Sequence, residues 1–321
     1  MDAARLARGG ARSWIEAALR RHGLGDVAEV VQLRAWPSSC VLRVRAATGV
    51  SYFKAVAASN RQECPVTDYL AHHFPDAVPR VIAAAPERRW LLMAECPGRN
   101  LEEIADIAVW ERAARSYARL QVACAPRTRD LAERGCEVRT MEALAQAIEP
   151  LVADPAALRS GGPADLTAAE LEALRAEVPA LRQRCAALAA AGVPLMLEHG
   201  DLWPGNFLID GERCAVLDWE DVSIGHPFLS LAPLAVGLGI YQSGQASPES
   251  VARVQRAYLE PFAALLPMAG LEDALRLALP LSFLDMAARY RQTRPSVARL
   301  HPWMRDLVPE ALRLALAQAV R

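Results

Sequence analysis

Residues 198–221 read EHGDLWPGNFLIDGERCAVLDWED, and this stretch restricts the folding of the chain more tightly than any other. Two short apolar runs, FLI and CAVL, flank DGER, so they pair as a hairpin across a tight turn. Closing the hairpin brings its feet, Asn206 and Asp218, side by side. A carboxamide oxygen and a carboxylate held together are hard donors suited to Mg2+, which takes a few protein oxygens and fills its octahedron with phosphate and water. Asp201 lies five residues before Asn206 on the same loop, placed to accept a proton from a hydroxyl beside such a metal.

The rest of the chain changes pattern once. Ser13 and Glu16 match a capping box, which predicts a helix from there to Gly23 as its C′ residue. β-rich runs follow at 28–34, 40–46 and 50–56, an antiparallel meander, and then a helical segment over 61–74 with Pro65 in its first turn. Two more strand-like runs, 80–85 and 90–96, lead to Pro97-Gly98, read as a hinge. Beyond it the spacing of apolar residues is helical, as over 109–123. The stretch 159–165 reads as a loop, and Thr167 with Glu170 forms a second capping box, opening a helix that Pro179 kinks and that ends near Gly192. The 321 residues therefore divide into a β-rich part, 1–96, and a helical part, 97–321, with a ligand cleft expected between them.

Composition narrows the partners. Apolar residues make up 53 % of the chain and charged ones 23 %, with a net charge of −1, which speaks against nucleic acid or an anionic membrane and for a small molecule. The seven cysteines are scattered without metal spacing and read as buried thiols of a reducing compartment. The longest apolar run, 228–240, is short for a membrane span, and the N-terminus has no continuous apolar core of a signal peptide, so a cytoplasmic location is expected. Of the 36 basic residues one alone is lysine, Lys54, in the third strand-like run.

HGDLWPGN followed by VLDWED resembles the aminoglycoside phosphotransferase and choline kinase family, whose two motifs correspond to the catalytic and metal motifs of protein kinases. The resemblance runs from about residue 28 to the C-terminal helices. It implies a protein-kinase-like α+β fold, with a small antiparallel β lobe and a larger helical lobe. It also implies Asp201 as catalytic base, His199 as a brace of its loop, and Asn206 and Asp218 as magnesium ligands. Lys54 then contacts the α- and β-phosphates of ATP and pairs with Glu63 on the following helix. A compact ammonium reaches phosphate and carboxylate together where a planar guanidinium is larger and fixed in its fork, which accounts for the one lysine in an arginine-rich chain. RAWPSSC, 34–40, takes the place of a Gly-rich loop, with Ser38 and Ser39 or their amides as phosphate contacts. LLMAECPG resembles the adenine-binding hinge, with Met93 as gatekeeper and the backbones of Ala94 and Cys96 at the adenine edge.

One residue departs from the family pattern. Ser230 stands where the family carries an aspartate that braces the catalytic loop. The expected reaction moves the γ-phosphoryl of ATP, with GTP as an admitted alternative, to a hydroxyl of a small metabolite or an aminoglycoside-like acceptor. The alternative is a non-catalytic nucleotide-binding module, and a metal-dependent hydrolase built on His199 and Asp201 ranks last for want of further ligands. Acceptor contacts are expected among Asp221, Tyr241, Asp285, Tyr290 and Trp303, while Arg289, Arg291 and Arg294 argue against a purely cationic acceptor. Glu220 and Asp221 read as surface acids and Asp210 as a turn residue.

Overall fold

The structure, a computed structural model, describes residues 10–36, 38–154, 158, 164–242, 246–297 and 306–319, with only the backbone for 292–297. Trp303, the side chain of Arg294, Pro37 and most of the loop expected at 159–165 lie outside the described residues. Contacts divide the chain into two compact units. The first holds residues 1–101, 133–136 and 205–222; the second holds 102–132, 137–204 and 223–321.

In the first unit, helix α1 (Ala11–Arg21) precedes strands β1 (Val27–Ala35), β2 (Ser39–Ala46) and β3 (Gly49–Val56). Helix α2 (Glu63–His73) follows, and then β4 (Val81–Ala85) and β5 (Trp90–Ala94). The sheet order is β1-β2-β3-β5-β4, every pair antiparallel, as the alternating runs predict. α1 buries Ile15, Ala18 and Leu19 against Val44, Phe53 and Leu92. Trp14 meets Phe53 and Trp90 edge-on, with ring centroids 5.9 and 5.7 Å apart. Such pairs each contribute about 0.5–1.5 kcal/mol beyond area burial.

The start of α1 differs from the expected capping box. Gly10, at φ +84°, is the N-cap, so Ser13 already lies inside the helix and its hydroxyl donates back to the Gly10 carbonyl. Glu16 pairs with Arg12 one turn earlier and not with a cap. The end is as read: Leu24 N–H reaches the Leu19 carbonyl around Gly23, closing a Schellman turn.

The hairpin of 198–221 forms as β9 (Phe207–Asp210) and β10 (Arg213–Val216), in register Asp210 to Arg213, with β6 (Arg99–Asn100) added on the β9 side. Gly98 allows that addition: it adopts φ +125°, and a Cβ there would stand 2.6 Å from the Ile209 carbonyl oxygen. The contact grouping thus differs from a linear division at residue 96, because the hairpin returns to the first unit. Val216 N–H donates to the Ala77 carbonyl, and Arg213 donates to the carbonyls of Pro75 and Val78.

The second unit is helical. It contains α3 (Ile107–Cys124), α4 (Met141–Ala153), α5 (Ala168–Ala189), α6 (Leu231–Tyr241), α7 (Pro248–Leu259), α8 (Met268–Val297) and α9 (Leu307–Ala319). A small sheet, in order β7 (Glu137–Val138), β11 (Ser223–Gly225), β8 (Met196–Glu198), sits among them. Thr167 and Glu170 form the predicted capping box of α5, and the helix runs on through Pro179. Tyr117, Phe228, Tyr258 and Phe262 are wholly buried and stack or meet edge-on. All seven cysteines are thiols and not disulfides, as expected. Among the described residues no helix is long and apolar enough to cross a membrane.

His226 gives this unit a pH dependence. Its ring is 1 % exposed, Nδ1 accepts the Phe228 N–H, and Nε2 has no hydrogen-bond partner among the described residues. Burial pushes its pKa from 6.5 down to about 3. Below pH 6.5 the unfolded chain takes up a proton that the folded one refuses, so stability falls as pH drops from about 6.5 to about 3, by up to ~1.4 kcal/mol per pH unit. His226→Asn, which keeps an acceptor for the Phe228 N–H, is expected to flatten that slope in urea titrations at pH 7 and pH 5.

Candidate active site

Lys54 sits on β3 in register with Val41 of β2 and Leu91 of β5, its side chain 6 % exposed. Antiparallel pairing on both sides fixes its direction. Its ammonium lies 2.6 Å from Glu63, the first residue of α2, donates to Asp218, and stands 3.6 Å from Glu220. Three carboxylates therefore surround one lysine. Burial alone would discharge Lys54, but Asp218, Glu63 and Glu220 outweigh it and hold the ammonium's pKa above its usual value. Burial also pushes the Glu63 carboxyl up, against the pull of Lys54, and does the same to Glu220. The cluster is thus short of positive charge, which Arg34 supplies only partly from 3.5 Å beyond Asp218.

The hairpin holds Asp218 there. Leu217 N–H donates to the Asn206 carbonyl at 2.8 Å, which joins the two feet of the hairpin as the spacing predicts. Asp218 adopts a left-handed backbone, φ 62° and ψ 64°, a conformation aspartate tolerates better than most side chains. Trp219 packs at 1 % exposure with Nε1–H on the Val216 carbonyl, while Gln62 and Asn60 hold the Glu220 carbonyl. One oxygen each from Glu63, Asp218 and Glu220 lie within 4.8 Å of one another, a hard-oxygen set that fits Mg2+. Glu220 is therefore no ordinary surface acid; its place inside DWED, two residues past Asp218, was the available signal.

A cavity of about 570 Å³ opens beside this cluster, within the first unit. Lys54, Glu63, Asp218, Met93, Ala94 and Cys96 all line it, so six of the sequence-derived residues share one wall system. Ala94 N–H is committed to the Arg80 carbonyl. Ser38 and Ser39 are not among the lining residues. Ser39 is fully buried, and the Ser38 carbonyl accepts from Ala57 N–H. Leu33, Arg34, Val41 and Tyr52 stand at that wall instead.

The second unit carries His199 and Asp201. His199 is wholly buried and its Nδ1 accepts the Asp201 N–H at 3.2 Å, so the ring does brace the turn. Gly200 between them takes φ +85°, which a side chain would strain. Trp203 N–H donates to the Asp201 carbonyl, and the Tyr290 hydroxyl donates to Asp201 Oδ1 at 3.2 Å. Tyr290 is thus the one expected acceptor contact that the described structure shows touching Asp201. Asp285 is buried and held by Arg139 and Arg289, so it has no charge to spare for an amine. Arg291 pairs with Asp154, Tyr241 is 47 % exposed at the end of α6, and Asp221 belongs to the first unit.

A small antiparallel β lobe with a strand-borne lysine, joined in one chain to a larger helical lobe, is the protein-kinase-like phosphotransferase fold. The chain belongs to the phosphotransferase enzyme family (APH), whose model it matches over residues 19–271. Its structure is similar to macrolide 2'-phosphotransferase MphH from Brachybacterium faecium, at 22 % identity and a TM-score of 0.57 over 94 % of this chain and 97 % of that one. A choline/ethanolamine kinase family protein from Mesorhizobium loti superposes at a TM-score of 0.64 and 18 % identity, covering 96 % of this chain and 93 % of that one. Spectinomycin phosphotransferase, solved with ADP and spectinomycin, matches at 0.55 and 10 % identity over 95 % of this chain and 98 % of that one. No curated protein sequence matches the chain.

Proposed function

We propose that this chain is a small-molecule kinase that transfers the γ-phosphoryl group of ATP to a hydroxyl of its acceptor. The observation that carries the reading is the single lysine of the chain, buried against Glu63, Asp218 and Glu220 on the wall of the 570 Å³ cavity. A buried ammonium ringed by three carboxylates calls for added positive charge, and a metal-bound nucleotide brings it. The ADP held by the spectinomycin phosphotransferase supports an adenine nucleotide as donor.

Each residue then has a role. Met93, Ala94 and Cys96 border the adenine, and Lys54 contacts the α- and β-phosphates while Glu63 keeps its ammonium in place. Asp218 and Asn206 are the proposed holders of Mg2+, with Glu220 as an added carboxylate. Bound Mg2+ supplies neutralisation of the phosphate charge. Asp201 takes the proton of the acceptor hydroxyl as its oxygen bonds the γ-phosphorus, and ADP leaves as the bridging P–O bond breaks. Tyr290, donating to Asp201, keeps one lobe of that carboxylate oriented. The acceptor is a hydroxylated small molecule; neutralised Asp285 argues against a grip on an amine at that residue.

Ser230 favours a second reading, a nucleotide-binding module without turnover, since it leaves the family's loop-bracing aspartate absent. Thermal unfolding with and without Mg-ATP, for the wild type and Asp218→Asn, tests the site common to both. Ligand at a hundred times its dissociation constant should stabilise the wild type by about 2.7 kcal/mol, a rise of a few degrees that shrinks in the variant. No rise in either protein removes the nucleotide site. A rise with no ADP release from any hydroxylated acceptor leaves the binding module.

A further inference from the structure

We infer that Glu198 is a positioning residue, which holds the His199-Gly200-Asp201 turn with the carboxylate that Ser230 cannot supply. The inference rests on the proposed role of Asp201. Glu198, the last residue of β8, is 2 % exposed, yet its carboxylate meets four donors. Oε1 accepts the Gly200 N–H at 2.9 Å and the Ser230 hydroxyl at 3.2 Å. Oε2 accepts the Ser223 hydroxyl at 3.0 Å and the Arg289 guanidinium at 2.6 Å.

The His199 amide reaches the same carboxylate by relay. It donates to the Tyr117 hydroxyl at 3.0 Å and, at 3.4 Å, to the Ser230 hydroxyl; Tyr117 lies 2.9 Å from that hydroxyl, and Ser230 donates on to Glu198. Each hydroxyl has one hydrogen to pass forward, so the path of shorter bonds runs His199 N–H, Tyr117, Ser230, Glu198. Two successive backbone amides of the catalytic turn thus end on one carboxylate, one directly and one through the Tyr117 and Ser230 hydroxyls. An aspartate at position 230 would offer that charge from the start of α6; this chain offers it from the strand before the turn.

The charge is affordable where it lies. Arg289 bridges Glu198 and Asp285, and Arg139 closes on Asp285 at 2.7 Å and on the exposed Glu137 at 3.1 Å, so the two buried acids each meet a guanidinium. Arg289 also precedes Tyr290, whose hydroxyl donates to Asp201. The same carboxylate therefore fixes the backbone of the turn and the stretch of α8 that touches its aspartate. Charge-assisted bonds to backbone N–H are stronger than neutral ones and leave the turn little freedom.

The test moves the carboxylate back. Glu198→Ala, Glu198→Gln and the double variant Glu198→Ala with Ser230→Asp are compared with the full-length wild type. ADP release from Mg-ATP is measured with water, choline, a macrolide and an aminoglycoside as acceptors, and backbone hydrogen exchange is followed over 196–203. The expected result is a loss of 30-fold or more in kcat for Glu198→Ala, with KM for Mg-ATP within twofold and exchange at 199–201 accelerated. Glu198→Gln falls between, since its amide oxygen still accepts the Gly200 N–H while the charge and the second acceptor, which meets Ser223 and Arg289, are lost. The double variant regains at least half of the lost kcat on a logarithmic scale and slows exchange again. A kcat within threefold of wild type in Glu198→Ala overturns the inference. So does a double variant that recovers thermal stability without recovering kcat or exchange protection. A wild type with no turnover on any acceptor removes the kinase reading instead, and the brace is then decided by exchange: unchanged protection in both single variants overturns it.

Discussion

Asp201→Asn is expected to lower turnover by roughly 10²–10⁴-fold while Mg-ATP still raises the melting temperature as it does in the wild type. The substitution keeps the shape of the side chain. Asparagine can accept from the Tyr290 hydroxyl as Asp201 Oδ1 does, and the backbone bonds to His199 and Trp203 are indifferent to it. What is lost is a group that can take a proton from a hydroxyl. The proposed nucleotide contacts, Lys54, Asp218 and the cavity wall, belong to the first unit and are untouched. Single-turnover ADP release alongside thermal shift checks both halves of the expectation; an unchanged rate removes Asp201 from the mechanism.

Lys54→Arg should cost nearly as much, although the chain uses arginine at every other basic position. The ammonium is 6 % exposed, 2.6 Å from Glu63 and in contact with Asp218. Guanidinium is wider and planar, so it cannot occupy a point between the two acids and also turn donors toward a phosphate. Overpacking of this kind costs about 1–3 kcal/mol of stability, and displacing a preorganised charge from its place in a phosphoryl-transfer site costs roughly 10²–10³ in rate. Lys54→Met should lose a similar factor in rate and leave Glu63, buried, and the partly exposed Asp218 and Glu220 without their shared cation. Arg12→Lys, on the exposed face of α1, is the control and should change stability by no more than about 0.5 kcal/mol. Activity retained in Lys54→Arg would show that the single lysine is an accident of composition.

Much of this was legible along the chain. The meander, the return through α2, the hairpin and the capping box of α5 follow from alternation, turn residues and side-chain caps that act within a few residues. Lys54, Glu63 and Asp218 were legible because their motifs stand on elements whose direction those local rules set. The α1 start was misread, since Gly10 and the Ser13 hydroxyl compete for the same turn and sequence does not say which prevails. Ser38 and Ser39 were placed by analogy with a Gly-rich loop, and Ser39 is buried instead. Glu220 passed for a surface acid because burial is not a local property.

Hydrogen bonds and turns between near neighbours are decided by residue type and spacing, so the order of strands and helices and the identity of the motifs could be read from sequence. Which acids share Lys54 and which carboxylate holds the Asp201 turn depend on residues separated by up to 164 positions, as Lys54 and Asp218 are. Desolvation sets the value of a buried charge, and only packing decides which charges are desolvated together. Glu198 shows the difference: as a letter it merely precedes His-Gly-Asp, and in the folded chain it gathers Gly200, Ser230, Ser223 and Arg289 around one carboxylate.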